Sequence, residues 1–251
     1  MPTAWLNGLR CWGLWPAIVM ALCRIEAALA ANAMPEVRPT AMAFFGTLTV
    51  YGADRWLERR RLPNTAERHF SPLWMNGLFI VAIFVFGLSQ LGYVRGGDWL
   101  WLLILGIGGA LYLAVTVRLL PNAPFVKEML GAFCFTYLIW GNQPAAETVL
   151  VVAFYATGLA NFLLAGYQDR VRDATNRMNG TAIRWPRATV PIARGLALAA
   201  AIAALWWTRG LSTLGWMALA HAAWPVDGKH SIDGAFFPLL ATPLHLFLRL
   251  G

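Results

Sequence analysis

Residues 145–173 read AAETVLVVAFYATGLANFLLAGYQDRVRD. The stretch has two parts. From Ala145 to Tyr167 it is a nearly unbroken apolar run, long enough at about 1.5 Å per residue to cross a bilayer as a helix. Asp169 and Asp173 follow, four residues apart and therefore on one helix face. A block of this kind reads as a helix in an apolar medium, because it lacks the polar stripe of a helix that lies on a wet surface.

The rest of the chain repeats the first half of that pattern. Of 251 residues, 59% are hydrophobic and 13% charged, whereas a soluble globular protein carries about 25% charged residues. Nine apolar blocks are legible: Cys11–Ala31, Thr40–Trp56, Leu73–Tyr93, Trp99–Val117, Val126–Trp140, Ala145–Tyr167, Val190–Trp207, Leu211–Trp224 and Ile232–Leu250. Turn chemistry separates them, as at Met34-Pro35, Arg95-Gly96-Gly97-Asp98 and Gly141-Asn142-Gln143-Pro144. Thirteen Trp and six Tyr, many near block ends, fit an interfacial aromatic belt. The expectation is an all-α polytopic membrane protein, one transmembrane domain of nine helices. The first block has a second reading as a signal h-region with a small-residue cleavage site near Ala28–Ala33, though Arg24 and Glu26 interrupt it.

The net charge of +8 sits in the short segments between blocks, so it sets topology and does not call for nucleic acid. With the N-terminus inside, the inward segments hold 15 Lys and Arg and the outward ones 4. This asymmetry places the Arg59–His69 and Asp173–Pro186 loops in the cytoplasm and the chain in a bacterial inner (cytoplasmic) membrane. Cys11, Cys23 and Cys134 lie in apolar blocks, and neither they nor His69, His221, His230 and His245 show metal-ligand spacing, so no zinc or haem is expected.

The acidic pair at the end of the sixth block has a counterpart. The second block ends in YGADRWLERRR (residues 51–61), which places Asp54 and Glu58 four apart as well. Like charges at this spacing repel by ~0.2–0.5 kcal/mol, and a helix C-terminus already carries partial negative charge. Each pair therefore asks for cations. Arginines can serve, Asp173 with Arg177 and Glu58 with Arg61, and so can Mg²⁺, a hard ion bound by carboxylates and phosphate oxygens. Asp54 and Asp169 are 115 residues apart, each ending the second helix of a four-helix set. That spacing suggests two pseudo-repeated halves, about 1–120 and 121–251.

These features resemble the UbiA-type superfamily of intramembrane prenyltransferases, whose nine helices carry aspartate-rich motifs on the second and sixth. The motif Asn-Asp-x-x-Asp-x-x-x-Asp falls on Val50, Tyr51, Asp54 and Glu58. The motif Asp-x-x-Asp-x-x-x-Asp falls on Gly166, Asp169 and Asp173. The chain departs from the pattern at Val50-Tyr51, at Gly166, and in having Glu58 for Asp. The resemblance implies helices around a central cavity, with Asp54, Glu58, Asp169 and Asp173 as catalytic, Mg²⁺-holding residues. It implies Lys127, Arg118, Arg170 and Arg177, with Tyr51 and Asn161, as contacts to a prenyl diphosphate. The implied reaction transfers the prenyl group to a lipophilic or aromatic acceptor, with an electron-rich lining from residues such as Phe133, Phe135, Tyr137, Trp140, Phe154 and Tyr155, whose alternative is ordinary packing. Two rival readings stand beside it: a non-catalytic relative that binds isoprenoid lipid, and a small transporter. Arg24 and Glu26 either face a cavity, pair with each other, or mark a first span that ends near Cys23.

Overall fold

The structure is a computed structural model that describes residues 13–61, 73–96, 98–114, 125–143, 146–175, 180–226 and 231–250. All its elements are helical, with no strand among the described residues. They are α1 (Leu14–Ala30), α2 (Val37–Arg61), α3 (Leu73–Gly96), α4 (Trp99–Ala114), α5 (Val126–Trp140), α6 (Thr148–Thr175), α7 (Thr181–Arg184), α8 (Pro186–Trp207), α9 (Thr213–Ala223), a 3-10 segment (Ile232–Ala241) and α10 (Thr242–Leu250).

Each apolar block of the sequence overlaps one of these helices, and the ninth is divided. Pro238 explains the division, since it lacks an N–H and crowds the preceding turn. A regular α-helix resumes at Thr242, with Pro243 in its first turn, where proline is tolerated. The short α7 lies between two blocks and has no apolar signal. Part of α6, Thr148–Val171, and the whole of α8 are long and apolar enough to cross a membrane, with mean hydropathies of 1.9 and 1.8.

Successive helices pack on one another from α1 through α6, α8, α9 and the 3-10 segment, and the 3-10 segment returns to α1. The helix α1 is central: it touches α2, α5, α9, the 3-10 segment and α10. Around it lies a core of Trp15, Met20, Met42, Ile139, Phe154 and Met217, among others. The most extensive contact is between α6 and α8. There α8 buries Ala193, Ala197, Ala200, Ala201 and Ala204. Such small side chains let two backbones approach closely, which is how helices associate when the surroundings are themselves apolar.

The outer faces are apolar too. Ile80, Phe84, Leu88 and Leu91 form one helical stripe on α3 and are all more than half exposed. Leu100, Leu103, Ile107 and Leu111 form another on α4. The turn before α1 requires glycine. Gly13 precedes α1 at φ 69°, and a Cβ there would meet the Tyr51 ring at 2.5 Å. That contact fixes the start of α1 beside the later part of α2.

Candidate functional site

Contacts between neighbouring helices orient those that carry the acidic pairs. Tyr51 lies on Gly13, so the last turns of α2 sit level with the start of α1. The Arg24 guanidinium donates to the Ile139 carbonyl, which sets the later part of α1 level with the end of α5. The two run in the same direction because successive helices alternate, as Gly46 on Phe86 and Arg38 on Ser89 show for α2 and α3, and Gly108 on Cys134 and Trp101 on the Tyr137 carbonyl for α4 and α5. Phe162 packs on Phe135, with ring centroids 5.7 Å apart, and Trp140 on Phe154 at 6.5 Å, so α6 runs antiparallel to α5. The C-terminal turns of α2 and α6 therefore lie at the same end of the bundle as the first turn of α5. Asp54 and Glu58 stand on α2 beyond Tyr51, and their side chains lie outside the described residues, as do Arg118 and Arg177. Asp169 and Asp173 are half-buried on α6, and Lys127 is half-buried in the first turn of α5.

The backbone just before Lys127 is strained. Phe125 has φ 65°, a left-handed conformation that costs a non-glycine residue about 1–2 kcal/mol. Two contacts hold it there. The Phe125 N–H donates to Thr181 Oγ1 at 2.7 Å, and its ring lies 5.5 Å from that of Trp185. The short helix α7 thus has a purpose the sequence did not announce, which is to clamp the start of α5.

Other residues singled out in the sequence have definite partners. Arg170 folds back on its own helix, donating to the Tyr167 carbonyl at 2.6 Å and lying over the Tyr167 ring at 3.8 Å. Asn161 faces His221 of α9 at 3.3 Å. The His221 Nδ1 is 2.8 Å from the Met217 carbonyl and must donate to it. In a neutral ring Nε2 then accepts, and the pair closes with the Asn161 amide turned so that its NH₂ faces the imidazole. His221 is fully buried, edge-on to Phe236. Of the aromatic candidates, Phe135, Trp140 and Phe154 pack between α5 and α6. Phe133 stacks on Tyr137 and is 42% exposed on the outer surface.

Among the described residues, no three His, Cys, Asp or Glu side chains gather into a group that could hold a metal ion, and Asp54 and Glu58 fall outside that set. The structure does add a carboxylate that sequence reasoning passed over. The Ile232 N–H donates to Gln168 Oε1 at 3.0 Å, which brings the start of the 3-10 segment to α6 beside Asp169. Asp233, next in the chain, accepts from Ser231 Oγ at 2.9 Å. No periodic signal could have found this contact, because the partners are 64 residues apart.

A second polar group occupies the opposite end. α1 continues unbroken past Cys23 to Ala30, so Arg24 and Glu26 lie within it, both buried. Glu26 Oε2 is 3.0 Å from His245 Nδ1 on α10. Glu26 Oε1 is buried with no hydrogen-bond partner among the described residues. The sequence offered one clue, since a charge inside an apolar block must find a partner. It did not say that the partner is 219 residues away.

No family model, curated protein or solved structure matches this chain.

Proposed function

We propose that this chain is an integral membrane protein of nine spans, with both acidic helix ends on the cytoplasmic side, and that this end binds a prenyl diphosphate with Mg²⁺ for transfer to a lipophilic acceptor. The membrane part rests on the exposed stripes of α3 and α4. A soluble monomer seldom leaves contiguous apolar patches of more than a few hundred Å² in water. The site part rests on one observation: the C-terminal turns of α2 and α6 share an end of the bundle with Lys127.

Aspartate and glutamate oxygens are hard donors, and the motif positions contain no thiol or imidazole, so the donor set suits Mg²⁺ over softer ions. When bound, that ion would neutralise charge on a diphosphate leaving group. Asp54, Glu58, Asp169 and Asp173 would hold it. The chain's own task is to orient the ligand. Lys127 is set in place by the clamped Phe125 and offers a point charge to phosphate oxygens. Arg118 and Arg177 belong to the adjoining basic loops. The surrounding helices keep water from an allylic cation once the C–O bond opens. Arg170, stacked on Tyr167, has to leave that ring before it can reach a phosphate.

A second reading is favoured by Tyr51. In the related motif an aspartate belongs at this position, but here the ring packs on Gly13. A packing residue where a ligand is expected favours a relative that keeps the fold and binds isoprenoid lipid without catalysis. Calorimetric titration of the detergent-purified chain with farnesyl diphosphate distinguishes these. Binding that needs Mg²⁺ and is lost in Asp169→Asn supports the metal-bridged site, and diphosphate release with an acceptor supports transfer. Equal binding with Mg²⁺ and with chelator rules the metal-bridged site out.

A further inference from the structure

The helix α8 has two unlike faces. Thr189, Ala193, Ala197, Ala200, Ala201 and Ala204 are buried, whereas Ile192, Leu198, Ile202 and Trp206 are exposed on the other side. At its N-terminal end lies Arg184-Trp185-Pro186-Arg187, and all four residues are exposed. Arg194 is exposed two turns further on, seven residues from Arg187 and so on the same face. Its guanidinium is held in place by the Trp224 carbonyl at 3.1 Å. No Asp or Glu occurs between Asp173 and Asp227, a stretch that includes Arg177, Arg184, Arg187, Arg194 and Arg209. The positive charge of this face has no carboxylate near it in the chain.

The spacing along α8 matches a bilayer. From Arg187 to Trp206 the helix rises about 28 Å at 1.5 Å per residue, close to the ~30 Å of a hydrocarbon core. When Trp206 sits at one interface, Arg184 and Arg187 sit at the other, and Arg194 lies about 10 Å deeper along the helix. Trp185 lies with them, 46% exposed and supported from behind by Phe125. A fixed amphipathic ring beside planar guanidinium groups is suited to the boundary between acyl chain and phosphate.

We propose that Arg184 and Arg187, with Trp185, form a binding site for the phosphate headgroup of an anionic lipid in the cytoplasmic leaflet. The site rests on the membrane-spanning reading above, and not on the transfer chemistry. Guanidinium groups engage phosphate oxygens through paired N–H donors. A zwitterionic headgroup offsets part of its phosphate charge with its own cation. The site lies next to the clamp at Phe125, so a bound lipid would bear on the elbow that positions Lys127.

The test is native mass spectrometry of the detergent-purified chain, mixed with phosphatidylglycerol and phosphatidylcholine of matched acyl chains. The wild-type chain is expected to retain phosphatidylglycerol preferentially. The double variant Arg184→Gln/Arg187→Gln should lose about fivefold of that preference per arginine removed. Both side chains are exposed, so the variant should fold, and an unchanged elution profile verifies it. Arg209→Gln, at the opposite end of α8, should keep the preference. A wild-type chain without preference, a double variant that keeps it, or displacement of the lipid by millimolar inorganic phosphate would overturn the proposal. Release of the chain from membranes by alkaline carbonate would instead overturn the membrane-spanning reading itself.

Discussion

Replacing His245 by alanine removes the partner of a carboxylate that is 1% exposed. Glu26 Oε1 has no partner among the described residues, so both oxygens would then be buried without one. Leaving a buried donor or acceptor unsatisfied costs about 1–3 kcal/mol, and more for a charged group. His245 is 21% exposed but Glu26 is almost fully buried, so the upper end of that range, about 3 kcal/mol, applies. Glu26→Gln should cost much less, about 1 kcal/mol, because the amide oxygen still accepts from the imidazole. The double variant Glu26→Gln/His245→Ala should then be more stable than His245→Ala alone, since the unpaired charge is gone. The assay is reversible urea unfolding in mixed micelles, evaluated as a double-mutant cycle. A coupling energy of about 2 kcal/mol is expected. If the two changes add to within ~0.5 kcal/mol, the pair is not coupled, and the account of α10 docked on α1 through Glu26 is wrong.

Three further outcomes follow from the geometry. Gly13→Ala should destabilise the bundle by about 2 kcal/mol, from a left-handed φ and a Cβ 2.5 Å from the Tyr51 ring. In a Tyr51→Ala background the same change should cost only the φ part, and a full cost there would refute the contact. His221→Leu should cost about 1–3 kcal/mol by stranding the Asn161 amide, and His221→Leu/Asn161→Leu should recover most of it in the same unfolding assay. Single cysteines in the 62–72 and 176–179 segments should be protected from an impermeant thiol reagent in intact cells, and labelling of either from outside would refute the cytoplasmic placement of the acidic end.

The helical class and the approximate place of each helix were readable in the sequence. Apolar blocks separated by Pro, Gly and Asn turns carry both signals locally, and α1 to α6, α8, α9 and the last helical stretch each overlap one block. Helix ends were less legible. α2 runs to Arg61 and α6 to Thr175, past their apolar blocks, because arginine, glutamate and leucine at the end of α2 and glutamine, arginine and alanine at the end of α6 are good helix formers even where the block has ended. The acidic pairs were also legible, since i and i+4 carboxylates on one helix are a property of spacing alone.

What only the tertiary structure decided is which distant residues meet. The register of α1 against α5 and of α5 against α6 brings the ends of α2 and α6 to one end of the bundle. Burial of Gly131 and Ala132 on α5 and of Ala160 on α6, together with the aromatic pairs, sets that register. The same packing turned Arg24 and Glu26 from an oddity inside an apolar block into two separate contacts, one to a backbone carbonyl and one to His245. A local pattern states that a buried charge needs a partner. The choice among partners depends on which helices pack together, and sequence spacing carries no record of that.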